Sequence, residues 1–400
     1  MNNAAVSSRI WSRIWRGKPD MAQHVKTDWI LFIAILMLVS FGLLMMYSAS
    51  SVVADLRYHQ STYFLVRQVA AVCVAFLAMM FFKRHDYRTW NNPGWVFYSM
   101  GGVIVLLLVV LFADPKTHRW IRWGPAQLQP SELAKPALIL FLAYFVTMRA
   151  PAINNRRHTL IPAMVMLLLL AGLVVVADLG TAVVLVATAA TVFFVAGLNR
   201  RHLAVTFAGI CVFILFAVLM KPYRIIRIFG HLDPEFRVVD FFDPSGAWKE
   251  KLERMANSCD PGYHARQSKI AVGSGGLVGM GFMQGQQKLL YLPEAHTDFI
   301  YAVVGEELGL LGCTAVLLAF LVILWRGVRL ACITQDDFGR YLALGVTATI
   351  VIQAFINMSV VLDMAPTKGI PLPMVSYGGS SLLSTLISLG MLLSVNEHAG

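Results

Sequence analysis

Four polar clusters interrupt an otherwise apolar chain, and each carries residue types suited to chemistry. In the first, Leu292-Pro293-Glu294-Ala295-His296-Thr297-Asp298-Phe299 runs directly into an apolar stretch, with Glu306 and Glu307 two turns further on. Asp298 therefore stands where an external segment meets a membrane. Partial desolvation there makes a carboxylate a stronger base unless a cation offsets it, and taking a proton from a hydroxyl needs such a base. Thr297 and Asp298 are equally good N-caps for the helix that follows, and the two glutamates are equally a packing pair. The second cluster, Lys116–Lys135, places Arg119 and Arg122 around Trp120, with Trp123 following, and then opens a helix at Pro130-Ser131, with Ser131 as the expected N-cap. Lys135 lies one turn inside that helix, either snorkelling to the interface or set to meet an anionic headgroup.

The third cluster is the glycine-rich run Gly273–Gly281, followed by Gln284-Gly285-Gln286-Gln287. Such backbone can cradle phosphates with its N–H groups, and it serves turns or close packing as readily. No strand–helix pattern surrounds it, which excludes a dinucleotide fold. The fourth, Pro366–Ser381, reads PTKGIPLPMVSYGGSS, and its prolines and glycines rule out a regular helix. Irregular backbone at membrane depth is tolerated only inside protein or lining a cavity; an ordinary external loop would be less apolar.

The elements that must position these clusters are membrane spans. The 400 residues are 58% hydrophobic and only 14% charged, against about half and a quarter in a soluble domain. The excess lies in long runs at about 29–50, 63–82, 95–113, 131–148, 160–177, 180–198, 203–220, 299–325, 341–362 and 381–395. Each approaches the roughly 20 residues needed to cross the hydrocarbon as a helix, and none shows the alternation of a barrel strand. The expected fold is an all-α polytopic integral membrane protein of about ten transmembrane helices, with Asp178 at a tight hairpin between spans five and six. A basic tail covers 1–28, the membrane domain 29–395 and a short C-terminus 396–400. The long segment 221–298, amphipathic over 221–242, joins spans seven and eight.

Lys and Arg crowd alternate connections (Lys83, Arg84 and Arg88; Arg149, Arg156 and Arg157; Arg200 and Arg201; Arg326, Arg329 and Arg340) and the N-terminal tail. The positive-inside rule puts these, and both termini, in the cytoplasm, so all four clusters face outward. The net charge of +11 is partly this bias and suits an anionic lipid surface; nucleic-acid binding is a poor explanation, because the basic residues are scattered. The first apolar run is too long for a cleavable signal and lacks a small-residue cleavage site. Of the five cysteines, Cys259 alone is external, so no disulfide forms there, and no metal-binding spacing appears. Spans two to four carry little internal polarity beyond Arg67, Gln68 and the entry of span four, which favours chemistry at the outer surface over transport.

The strings Arg119–Lys135, Gly262–Lys288, Tyr291–Gly312 and Pro366–Ser381 closely resemble the SEDS family (shape, elongation, division and sporulation) of bacterial membrane proteins. The likeness runs from about residue 29 to 395, and its HTDFI…GEELG wording is similar to the cell-division branch more than the elongation branch. The chain departs from many relatives at Gly262-Tyr263-His264, at Val176-Ala177-Asp178-Leu179-Gly180, and in its extra length around 243–262. The resemblance implies a ten-span peptidoglycan glycosyltransferase of the bacterial inner membrane, acting at the division septum. Its substrates would be lipid II and a glycan carried on undecaprenyl pyrophosphate. Its partners would be a class B penicillin-binding protein and other divisome membrane proteins.

The resemblance also assigns residues. Asp298 matches the family's external aspartate, the expected general base. Arg119, Glu132, Lys135 and Lys368 match positions expected to line the external cavity; Gln267, Ser268, His296, Ser376, Gly378 and Gly379 match family positions without a fixed role. An α-linked donor giving a β-1,4 glycan means inversion, with one base and no covalent intermediate. Lys135, Arg119 and Lys368 would then face the leaving pyrophosphate, with Mg or Mn as an optional helper. The competing readings are a lipid II flippase, which wants a polar path on the cytoplasmic half, and a divisome scaffold, which has no need of Asp298 or Lys368.

Overall fold

The computed structural model describes residues 27–114, 117–123, 126–219, 263–289, 292–366 and 369–399. Residues 1–26 of the N-terminal tail, the 221–242 stretch, Cys259 and Lys368 lie outside the described residues. Helices α1 (Trp29–Tyr58), α2 (Tyr63–Arg84), α3 (Pro93–Ala113), α4 (Pro130–Arg149), α5 (Ile161–Ala177), α6 (Leu179–Val195) and α7 (Arg200–Leu219) occupy the first seven apolar runs. A short α8 (Tyr263–Ser274) precedes α9 (Ile300–Ile333), α10 (Asp337–Val361) and α11 (Gly379–His398). Among the described residues, eight helices are long and apolar enough to cross a membrane; α6 is apolar but shorter. α10 and α11 are the most enclosed of these and α2 the least. α11 packs along α2, and α10 sits among α4, α6 and α9.

Helix starts differ from expectation in two places. α4 opens with Pro130 at its first position and Gln129 as N-cap, so Ser131 is already inside the helix; proline's fixed φ suits that first position, where its missing N–H costs nothing. α9 has Phe299 as N-cap with no side-chain bond, so neither Thr297 nor Asp298 caps it. Asp178 does cap: it accepts from the Gly180 and Thr181 amides at 2.9 and 3.2 Å and thereby closes the α5–α6 hairpin. Between α3 and α4 lies a small antiparallel hairpin, β1 (Ile121–Trp123) and β2 (Ala126–Leu128), with Ile121 opposite Leu128. It is far too short to span and serves to carry side chains over the bundle end.

α9 is broken at Gly309, where φ is 65° and ψ −160°, and its two halves fold close enough for Tyr301 Oη to donate to Cys313 O at 3.2 Å. The glycine-rich run fills the break. Met280 N and Gly281 N donate to Glu306 O and Glu307 O at 3.0 Å, while Leu310 N donates to Gly276 O at 2.9 Å. Gly279 has φ +89°, and a Cβ there would overlap Glu307 O, so only glycine allows this approach. The run therefore supplies the helix ends with hydrogen-bond partners, which settles its alternatives in favour of close packing. The glutamates are its anchors. Glu306 Oε1 accepts from Gln286 N and Gln287 N at 2.7 and 3.0 Å. Glu307 takes Met283 N at 3.1 Å, Lys288 Nζ at 2.5 Å and Ser48 Oγ at 2.6 Å.

Candidate active site

One cavity of about 1120 Å³ opens where the hairpin, the α5–α6 turn, the α9 entry and the segment before α11 converge. Its wall includes Asp298, Arg119, Gly378 and Gly379 among the residues singled out in sequence, together with Arg67, Gln68, Gln129, Asp178, Gly369, Tyr377 and Ser380. The non-helical segment from Gly369 to Gly378 thus lines a cavity, as irregular backbone at this depth must.

Asp298 is half-buried. Its carbonyl accepts from Asn357 Nδ2 at 2.8 Å, and its carboxylate lies directly against Gly369, where a Cβ would be 2.7 Å from Oδ2. Arg119 is held at another edge by Asp178, 3.6 Å away, and by stacking over Trp120. Asp178 also accepts from Thr181 Oγ1 at 2.8 Å and Gln129 Nε2 at 3.4 Å. The hairpin is pinned to α11 through Ser380, whose Oγ accepts from Gln129 N at 3.0 Å and donates to Gln127 O at 3.1 Å. Arg67 lies 5.0 Å over the Tyr63 ring. Burial pushes the Tyr377 hydroxyl up, and the charge of Arg67 beside it works against that rise. The first turn of α11 faces the cavity with no side-chain cap, so its partial positive end joins the two arginines.

The remaining sequence candidates among the described residues lie off the cavity wall. Glu132 and Lys135 form a buried pair at 2.6 Å; Lys135 also donates to Gln353 Oε1 at 2.6 Å, and Ser384 donates to Glu132 at 3.2 Å. Lys135 therefore neither snorkels nor reaches into the cavity. The pair puts more polarity inside the bundle than the spans' composition suggests, closed on its neighbours. Ser268 donates to Val361 O at 2.6 Å and fastens α8 to α10; Gln267, on the same helix, is half-buried away from the cavity. Ser376 accepts from Leu372 N at 2.8 Å, closing the turn before α11, and Gln68 bonds both Ser376 O and Gly378 N around it. His296 packs on Phe64 and Tyr377, and burial holds its imidazole below the usual histidine range. Lys368 lies outside the described residues.

Residues given no site role in the sequence carry much of the geometry. Asp178 was visible as a lone carboxylate between apolar runs; Asn357 and Gln353 were visible only as isolated amides in an apolar helix, where burial obliges them to find partners. Among the described residues no three His, Cys, Asp or Glu side chains gather as a metal site.

Residues 28–400 match the model of a cell cycle protein family grouping FtsW, RodA and SpoVE. The chain is 39% identical over 386 residues to the probable peptidoglycan glycosyltransferase FtsW of Geobacter metallireducens, covering 95% of this chain and 97% of that one. It is also 39% identical over 383 residues to stage V sporulation protein E of Bacillus subtilis, at 93% and 97% coverage. Among solved structures, a chain described in terms of polymerization and crosslinking by a peptidoglycan synthase complex superposes with TM-score 0.71 at 27% identity, covering 94% of this chain and 99% of that one. The rod shape determining protein RodA of Thermus thermophilus gives 0.64 at 25%, covering 93% and 97%. With the helical membrane architecture and the match along nearly its whole length, the chain belongs to the SEDS family of cell cycle proteins, the family of FtsW, RodA and SpoVE.

Proposed function

We propose that this chain is a division-associated peptidoglycan glycosyltransferase that polymerises lipid II on the outer face of the bacterial inner membrane, with Asp298 as general base. The observation that carries the assignment is the cavity itself: a half-buried carboxylate with Arg67, Arg119 and an uncapped helix start on the same wall. The GlcNAc 4-hydroxyl of the acceptor gives its proton to Asp298 as its oxygen forms a bond to the donor's anomeric carbon. The bond from that carbon to the undecaprenyl pyrophosphate breaks, and the leaving group takes the electron pair with inversion. Arg119 and Arg67 meet the developing negative charge. Lys135, closed on Glu132 and Gln353, acts from behind the wall. A divalent ion such as Mg or Mn, carried on the donor's pyrophosphate, would need only one or two protein carboxylates; no step is routed through it. A class B penicillin-binding protein is the proposed partner that cross-links the product, in keeping with the synthase-complex likeness.

Purified protein with its partner, given lipid II, is expected to form glycan strands; Asp298→Asn should slow this by about 10²–10⁴-fold while leaving thermal unfolding unchanged. Strand formation by the variant at the wild-type rate would overturn the base assignment. No strands from either protein, together with lipid II flipping by both, would favour the transport reading.

A further inference from the structure

α10 presents two amides one turn apart, Gln353 and Asn357, both buried. Gln353 Nε2 donates to Pro371 O at 2.8 Å. Asn357 Nδ2 donates at 2.8 Å to two carbonyls at once, those of Asp298 and Ile370. The orientation is fixed by chemistry: both partners are acceptors, so only the NH₂ end can face them. Its own Oδ1 is buried without a partner, so the side chain leaves an acceptor unsatisfied to keep both donations. The two carbonyls come from segments far apart in sequence, the α9 entry and the strap before α11. One amide thus sets the spacing between Asp298 and the strap. Gly369, next to Ile370, occupies the position where any Cβ would press on the Asp298 carboxylate.

We infer that Asn357 is a positioning residue for catalysis: it clamps the Asp298 backbone to the Gly369–Pro371 strap, so that the carboxylate is backed by the glycine and directed into the cavity. The inference rests on the proposed role of Asp298. Asn357 touches no substrate, so its loss should lower kcat and leave KM almost unchanged.

The test uses the full chain with its partner and lipid II. Asn357→Leu keeps the side-chain volume and removes both donations. Gly369→Ala leaves Asn357 in place and crowds the carboxylate from the other side. Each should lower kcat by about 100-fold, the loss expected from a misplacement near 1 Å, with KM within about 3-fold of wild type and thermal unfolding of Gly369→Ala unchanged. Wild-type kcat in either variant would overturn the inference, as would losses lying wholly in KM. Should Asn357→Leu fail to fold, the smaller Asn357→Ser, read by the same kcat-against-KM split, decides for Asn357. A fully active Asp298→Asn variant would instead sink the reading on which the inference rests, which separates the two failures.

Discussion

The Glu132–Lys135 pair allows a quantitative prediction. The charged atoms are 2.6 Å apart, with side chains 1% and 4% exposed. At an effective dielectric near 20 their attraction is worth about 6 kcal/mol, and taking two ions out of water costs several kcal/mol each. The intact pair is therefore close to neutral for stability, whereas half of it is not. Lys135→Met strands a buried carboxylate and removes the bond to Gln353, with an expected loss of about 3–5 kcal/mol, or roughly two to three and a half orders of magnitude in the unfolding equilibrium. Adding Glu132→Gln removes the stranded charge and keeps a partner for Ser384, so the double variant should return to within about 1 kcal/mol of wild type. Reversible unfolding in mixed micelles, run as a double-mutant cycle, measures this coupling. Equal stability of the single and double variants would refute the argument. So would a well-folded double variant whose KM for lipid II rises 10-fold or more, because that would mean Lys135 meets substrate directly.

Three further outcomes follow from the geometry. His296 is held below the usual histidine range by burial, so the unfolded chain takes up its proton first; stability should be intact above pH ~6.5 and fall as pH drops through the folded value. His296→Phe, which keeps the packing on Phe64 and Tyr377, should flatten that decline in thermal melts at stepped pH. Ser48→Ala removes a donor to both oxygens of Glu307 and an acceptor for Lys288, and should cost about 1–3 kcal/mol in the same unfolding assay. Gly279→Ala puts a Cβ against Glu307 O in a left-handed conformation; the strain of at least ~1–3 kcal/mol should appear as faster proteolysis between 275 and 289.

The helices were legible because crossing hydrocarbon requires long apolar runs. Their ends were less so: α1 continues to Tyr58 and α9 to Ile333, since polar residues extend a helix beyond the lipid at little cost. The glycine run shows the limit more sharply. Composition says that backbone comes close to something there, but whether that is a phosphate or a broken helix depends on Gly309 and Glu307, which local sequence does not place opposite it. Glu132 and Lys135 advertise their pairing by an i,i+3 spacing, yet their third member, Gln353, is 218 residues from Lys135. Asp298 was found by its place at a membrane entry. Asn357, which holds it, has no such local mark, because its partners are backbone carbonyls that every residue owns.

The break at Gly309 separates two mechanical environments. Before it, Ile300–Glu307 is enclosed by protein; beyond it, Leu310, Leu311, Leu318, Leu321 and Trp325 are exposed along the apolar outer surface. A span meeting a thicker or thinner bilayer adjusts by tilting, and in a continuous helix that tilt would swing the residues at its entry by several ångströms. Here the ladder of hydrogen bonds is interrupted, and the ends on both sides of the break are tied to the glycine run. Changes in membrane thickness therefore reach Asp298 through the glycine run and the Tyr301–Cys313 bond, a joint where a continuous helix would be a rod.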